Sequence, residues 1–163
     1  MTRLTESVRR AYQAFVEDPE SFWDRVDENA VFHIPGDHPL SGDHVGRAQI
    51  ERYLAAVREA SGGRPGFSVT SALSDETGAE ILVEGVALNR EGPYVRTIVH
   101  LLRLSEGRLV EFRDHPFDQR AEDRYWTARV PEQRDGTRTA LASEQGPPAI
   151  IPVQPTSTHI TKG

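Results

Sequence analysis

One predicted hairpin, residues 97–116, contains an imidazole and a carboxylate, His100 and Asp114. If residues 105–107 form a three-residue loop with Gly107 in the left-handed conformation, both side chains lie on the same face, because cross-strand partners share a face. The same face then carries the apolar residues Ile98, Leu102, Leu104, Val110 and Phe112. A carboxyl group on an apolar concave face loses hydration, which raises its pKa and suits it to carry protons near neutral pH. We therefore expect Asp114 to act as a general acid and base, with His100 beside it.

Other arrangements of this hairpin remain open. Asp114 can lie in water at the strand end or pair with Arg96 or Arg113, and His100 can simply bond to the backbone. A two-residue loop would reverse the relative facing of the two strands and separate His100 from Asp114.

Further polar residues are weaker candidates. His33, His38 and His44 lie close together in the sequence, but their spacing matches no zinc-binding pattern, so we expect no metal site. Arg96 shares the parity of His100 and can hold an acidic group at the pocket mouth, or form a surface ion pair. The chain has no glycine-rich phosphate loop, dinucleotide fingerprint or serine nucleophile elbow, so we expect no cofactor.

The composition excludes several classes of protein. The 163 residues carry a formal net charge of -6 and no cysteine. A nucleic-acid binder needs a basic face to neutralise phosphates, so this class is not expected. Cysteine-based sites and disulfides are impossible. No apolar stretch approaches the ~20 residues of a membrane span, and a cytoplasmic location is the expectation.

Hydrophobic periodicity predicts an α+β order of elements. Helical spacing indicates an amphipathic helix ending at Asp18, a short helix over 20–25 and a longer helix over 47–60. A short strand over 30–35 precedes the longer helix. Four strands over 67–73, 79–88, 94–104 and 108–116, joined by short connections, predict an antiparallel meander with the helices on one face.

This order, with the segments VFHIPGDHPLSG, GRAQIERYL and HLLRLSEGRLVEFRDHPFDQ, resembles the SnoaL-like and ketosteroid-isomerase-like proteins of the NTF2-like superfamily. The resemblance covers residues 5–126. It implies an NTF2-like cone over residues 1–126, in which a curled antiparallel sheet and three N-terminal helices enclose a pocket. Residues 127–163 then form a proline-rich tail, either disordered or docked as an arm through the segment AIIPV.

The resemblance also implies roles for particular residues. Asp114 matches the acid/base aspartate of SnoaL-like cyclases and is similar to an aspartate of limonene-epoxide hydrolases. His33 takes the place of a pocket asparagine in those hydrolases, so that Val31 and His33 would face the pocket, although the opposite facing is equally allowed. Gly85 and Ala87 stand where the hydrolases carry an Arg-x-Asp pair, and such small residues would enlarge the cavity.

The expected function is that of a cofactor-free cyclase or isomerase acting on a hydrophobic polyketide- or terpenoid-like molecule. Asp114 would serve as base and then acid, and His100 and His33 would polarise the oxygen on which charge develops. The substrate wall is expected from Phe67, Leu102, Val110 and Phe112. An epoxide-opening enzyme and a non-catalytic small-molecule binder are the alternatives. A homodimer is expected through the outer sheet face that carries Thr97, Val99 and Leu101.

Overall fold

The computed structural model describes residues 2–63, 66–88 and 95–131, and it confirms the α+β class. The elements in chain order are α1 (Arg3–Glu17), α2 (Pro19–Trp23), β1 (Val26–Ile34), β2 (Gly42–Val45), α3 (Gly46–Ala60), β3 (Gly66–Ser74), β4 (Glu80–Leu88), β5 (Val95–Ser105), β6 (Arg108–Pro116) and α4 (Gln119–Arg129). The described helices include none that is long and apolar enough to cross a membrane.

The six strands form one curled sheet in the order β2-β1-β6-β5-β4-β3. The predicted meander is confirmed, because β3, β4, β5 and β6 pair as antiparallel neighbours. Strand β1 is longer than expected and pairs parallel with β6, while β2 is a short strand within the segment expected to be a loop. The helix α3 therefore connects β2 at one edge of the sheet to β3 at the opposite edge.

The helices α1 and α2 begin at residues whose side chains suit a helix N-terminus. The Thr2 hydroxyl accepts a hydrogen bond from the Thr5 amide at 3.2 Å, which caps α1. Asp18 ends α1 and caps α2, where Pro19 occupies the first turn. Val8 of α1 packs on Val69 of β3, and Ile50 of α3 packs near β1. These helices cover one face of the curled sheet.

The fourth helix, α4, was not predicted. The Asp118 side chain accepts a hydrogen bond from the Ala121 amide at 2.9 Å and caps this helix. Tyr125, Trp126 and Val130 form a buried cluster with Leu40. The ordered packing thus continues past the expected boundary at residue 126. Its sequence signal is weak because Glu122, only 2 % exposed, occupies a buried position where an apolar residue would have marked the helical period.

The hairpin between β5 and β6 differs from the expected loop. The turn has two residues, Glu106 and Gly107, which both adopt positive φ angles of 50° and 76°. A bulge at Val110 then shifts the register, since Leu104 pairs with Leu109 whereas Arg103 pairs with Glu111. The predicted loop length is wrong, but the extra residue of the bulge restores the facing that a two-residue turn alone would have reversed.

Candidate active site

A cavity of about 660 Å³ lies between the helices and the sheet. Such a volume is in the range of small-molecule sites, which hold a ligand among apolar walls with a few polar groups. Apolar and aromatic side chains dominate the lining, among them Phe32, Leu54, Phe67, Ile98, Leu102, Leu109 and Phe112. Two clusters of polar groups lie in this lining, one around Asp114 and one around Arg96.

The first cluster is a chain of three side chains from α1, β5 and β6. Direct cross-strand pairing of His100 with Asp114 places the His100 Nε2 atom 3.3 Å from the Asp114 Oδ1 atom. On the other side of the ring, the His100 Nδ1 atom lies 2.6 Å from the Tyr12 hydroxyl oxygen. Both His100 and Asp114 are 8 % exposed. The imidazole therefore connects a buried carboxylate to a phenol inside the cavity.

The electrostatics of this chain favour one tautomer of His100. An ionised Asp114 attracts the ring proton to Nε2, which leaves the Nδ1 lone pair to accept a hydrogen bond from the Tyr12 hydroxyl. Burial, and secondarily the negative charge of Asp114, raise the pKa of Tyr12, so that the phenol stays protonated and donates. The Asp114 Oδ1 atom has no hydrogen-bond partner among the described residues, and a small movement of His100 would supply one.

Aromatic packing holds the imidazole in place. The Phe67 ring stacks on His100 with centroids 4.6 Å apart and on Tyr12 with centroids 4.8 Å apart. The Phe112 ring contacts His100 from β6 at 4.7 Å. Rings packed in this way leave His100 few alternative rotamers, which is the preorganisation that a proton-transfer group requires.

The second cluster joins Arg96 of β5 to α4. The Arg96 Nη1 atom forms an ion pair with Glu122 Oε1, and the Trp126 indole donates a hydrogen bond of 2.6 Å to the same oxygen. The Arg96 guanidinium also lies 4.9 Å from the ring centroids of Tyr125 and Trp126. Burial raises the pKa of Glu122, and the charge of Asp114 adds to this, while Arg96 and the indole hydrogen bond oppose it.

Seven of the residues expected from sequence line the cavity: Phe67, Ala87, Arg96, His100, Leu102, Phe112 and Asp114. The other four, Val31, His33, Gly85 and Val110, do not. Val110 is the bulged residue, and Leu109 takes the position on the cavity wall that was expected for it.

His33 lies on the outer face of the sheet rather than in the cavity. Its Nδ1 atom is 2.7 Å from Asp43 Oδ1, and its Nε2 atom is 3.2 Å from Glu111 Oε1. The buried neighbour Phe32 lines the cavity instead, because burial of a large aromatic ring outweighs burial of a titratable imidazole. Alternation along β1 then turns Val31 outward as well.

Gly85 does not enlarge the cavity, because the Phe67 ring fills the space above it. A Cβ atom at this position would come within 2.4 Å of the Phe67 Cζ atom. The absence of a side chain therefore positions Phe67 against His100. Ala87, by contrast, lines the cavity opposite Arg96 and leaves room for that long side chain.

The other two histidines have local partners in the segment before α3. The His38 Nε2 atom lies 3.1 Å from the Pro35 carbonyl oxygen, and its Nδ1 atom accepts from the Leu40 amide. Burial lowers the pKa of His38. The His44 Nε2 atom lies 3.0 Å from the Leu40 carbonyl oxygen, and its ring packs on Tyr53. Both histidines therefore stabilise the conformation of this segment through bonds to its backbone, and neither lines the cavity.

Sequence reasoning missed several polar residues that line the cavity, among them Tyr12, Tyr53, Glu122 and Trp126. Tyr12 had a usable signal, since its helical spacing from Val8 placed its hydroxyl on an apolar face where it needs a partner. Glu122 had none, because it stands in a charged segment.

A family model described as a SnoaL-like domain matches residues 8–112. The chain belongs to the SnoaL-like domain family. The matched part includes Tyr12, Arg96 and His100, while Asp114 and α4 follow it. No curated protein matches the chain by sequence at a significant level.

Solved structures share this fold. Bal32a, from a soil-derived mobile gene cassette, is 27 % identical with a TM-score of 0.68, over 74 % of this chain and 94 % of that one. A protein of unknown function with a cystatin-like fold from Xanthomonas campestris is 26 % identical with a TM-score of 0.62, over 75 % and 97 % of the two chains. A candidate SnoaL-like polyketide cyclase from Jannaschia sp. CCS1 is 17 % identical with a TM-score of 0.54, over 66 % of this chain and 78 % of that one. At this identity the similarity concerns the fold only.

Proposed function

We propose that this SnoaL-like protein is a cofactor-free cyclase or isomerase that moves a proton on a hydrophobic polyketide- or terpenoid-like molecule. The observation that carries the proposal is the buried pairing of Asp114 with His100 inside an apolar cavity. A carboxylate away from water, held beside an imidazole and facing space for a ligand, is suited to general acid and base catalysis.

The reaction needs only a proton acceptor and a cavity that folds the substrate. Asp114 takes a proton from a carbon next to a carbonyl group, and the electron pair of the broken C–H bond moves onto the carbonyl oxygen as an enolate. The enolate carbon then either attacks a second carbonyl of the same molecule, closing a ring, or is protonated at another position. The protonated Asp114 returns its proton in either case, so that the protein is regenerated.

Tyr12 and His100 support this cycle from behind the carboxylate. The Tyr12 hydroxyl donates to Nδ1 and keeps the proton of a neutral imidazole on Nε2, facing Asp114. An N–H group in this position stabilises the ionised carboxylate, and its hydrogen bond weakens when Asp114 is protonated during the reaction. Removal of the Tyr12 hydroxyl would weaken the orientation of His100, whereas removal of Asp114 would remove the base itself.

A test that needs no knowledge of the natural substrate is deuterium exchange of an enolisable bicyclic ketone, 2-tetralone, in D₂O, followed by NMR. We expect the parent to catalyse exchange and Asp114→Asn to lose about 10²- to 10⁴-fold, because asparagine keeps the shape but cannot take a proton. His100→Ala should lose less. Asp43→Asn, which changes a carboxylate on the outer face, is the matched control and should exchange at the parental rate.

Two results would count against this function. Exchange by Asp114→Asn within a few-fold of the parent would remove Asp114 as the base. Tight binding of hydrophobic ligands that survives Asp114→Asn, with no exchange by either form, would point to a non-catalytic binding protein. Circular dichroism of each variant provides the folding control.

We also infer that the protein pairs with a second copy through the outer face of the sheet. Leu73, Leu82 and Leu101 form one cross-strand row there, and Leu73 and Leu82 are 67 % and 41 % exposed. Contiguous apolar side chains of this size on an open sheet face are typical of interfaces.

A further inference from the structure

The ion pair of Arg96 with Glu122 leaves part of the guanidinium available to a ligand. Glu122 is bonded at Nη1, and neither Nε nor Nη2 of Arg96 has a hydrogen-bond partner among residues 2–63, 66–88 and 95–131. The side chain is 13 % exposed and lines the cavity. The Nε and Nη2 atoms form one edge of the planar group, which suits it to an oxygen ligand.

The guanidinium is also held rigidly. Glu122 fixes one corner, and the rings of Tyr125 and Trp126 lie against the planar group. Trp126 in turn donates to Glu122, which keeps this carboxylate in place. Donors that are already oriented before a charge develops are the most effective stabilisers of that charge.

The charges of the cavity favour one class of ligand. With His100 neutral, the ionised acidic residues of the lining are Asp114, Glu122 and Glu17. The basic ones are Arg96 and Arg25, so the five groups sum to one negative charge. A carboxylate ligand would bring a second negative charge into an apolar space. A neutral carbonyl compound adds no charge when it binds. When Asp114 accepts its proton, the negative charge moves from Asp114 to the enolate oxygen, so the total charge in the cavity stays the same.

Asp114 and Arg96 act electrostatically on one part of the cavity. Burial is the main cause of the raised pKa of the Tyr53 hydroxyl, the charge of Asp114 adds to it, and the charge of Arg96 opposes it. Arg96 and His100 lie on the same face of β5, and His100 pairs with Asp114, so one ligand in the cavity lies near both the base and the guanidinium.

We propose that Arg96 is a further catalytic residue, whose Nε and Nη2 atoms donate to the enolate oxygen, and that the substrate is a neutral enolisable carbonyl compound rather than a carboxylic acid. Glu122 is then a positioning residue. This inference rests on the function proposed above. In the step concerned, the C–H bond breaks, the proton moves to Asp114, and the electron pair becomes the enolate whose oxygen Arg96 binds.

The binding of 4-nitrophenolate tests the role of Arg96 without turnover. This probe carries a delocalised negative charge on oxygen, as an enolate does, and 4-nitroanisole is its neutral counterpart. Asp114→Asn imitates the protonated base, so we expect it to bind 4-nitrophenolate at least about tenfold more tightly than the parent does. Adding Arg96→Met should weaken that binding about tenfold or more, with 4-nitroanisole affinity changed less than about threefold.

A second variant guards against misfolding, because Arg96→Met leaves Glu122 buried without its cation. The combination Arg96→Met/Glu122→Gln removes both charges and should show the same selective loss in the Asp114→Asn background. Glu122→Gln alone keeps the guanidinium but replaces the charged group that positions it, so it should weaken 4-nitrophenolate binding less than Arg96→Met does. Thermal melting of each variant shows whether it is folded.

Three outcomes would overturn the proposal for Arg96. They are no detectable binding of 4-nitrophenolate to Asp114→Asn, a loss below about threefold when Arg96 is removed, or parallel losses for the two probes. Failure of the proposed function is a separate result, since it would appear as parental deuterium exchange by Asp114→Asn. The phenolate measurement does not depend on that exchange.

Discussion

Replacement of Gly85 by alanine should destabilise the fold by forcing Phe67 away from its position. The added Cβ atom would lie 2.4 Å and 2.6 Å from the Phe67 Cζ and Cε1 atoms, and 2.8 Å from the Ser68 carbonyl oxygen. Each of these separations is shorter than a real Cβ atom accepts. Phe67 cannot simply turn aside, because it stacks on Tyr12 and His100.

The size of the effect follows from this crowding. Overpacking of a well-packed core costs about 1–3 kcal/mol. For a folded domain of roughly 130 residues, each kcal/mol corresponds to about 4 °C in Tm, so Gly85→Ala should melt about 4–12 °C below the parent. Displacement of Phe67 also loosens His100, so the variant should exchange 2-tetralone more slowly than the parent as well.

A double-mutant cycle with Phe67→Leu identifies the cause. Leucine lacks the two ring atoms nearest to the new Cβ atom, so part of the loss should be recovered, with a coupling free energy of at least about 1 kcal/mol. The contact with the backbone of Ser68 remains, so the recovery should be incomplete. Two results would refute this account of the packing. One is a Tm of Gly85→Ala within about 2 °C of the parent, which corresponds to about half a kcal/mol. The other is an unchanged loss of stability when Gly85→Ala is made in the Phe67→Leu background.

Two further predictions concern the assembly and the chain end. Light scattering at micromolar concentration should give the mass of a dimer. The double variant Leu82→Lys/Leu101→Lys should have the mass of a monomer, because the charges would disrupt the apolar row. A monomeric parent would exclude the dimer. Deletion of residues 132–163, which lie outside the described residues, should leave the fold intact, because α4 and the buried Val130 already complete a core cluster; a fall in Tm of more than about 10 °C would indicate a docked arm.

The strands and their facing were largely predictable, because alternation and helical spacing are local properties of the chain. The four meander strands and three of the helices follow from periodicity within a residue or two. The shared face of His100 and Asp114 was also predicted, although through the wrong loop. The bulge at Val110 has no marker in the sequence. The shorter loop and the bulge together keep the predicted facing but shift the pairing by two residues, so His100 lies opposite Asp114 rather than opposite Phe112 as predicted.

The position of β1 in the sheet was not predictable in the same way. Alternation permits either Phe32 or His33 to face inward, and the choice depends on which face the helices cover and on the partners Asp43 and Glu111 across the sheet. The resemblance to other proteins favoured the wrong side here. Contacts between distant segments decided this part of the site.

Spacing along single strands and helices was enough to predict the α+β class, the family resemblance, and the shared apolar face of Asp114 and His100. The contact of Tyr12 with His100 depends on the tertiary structure, and so does the fixing of Arg96 by Glu122 and Trp126 of α4. Tyr12 and His100 are 88 positions apart in the sequence, and Arg96 and Glu122 are 26 positions apart. Their pairing is set by how the helices pack across the sheet, which no local pattern in the chain records.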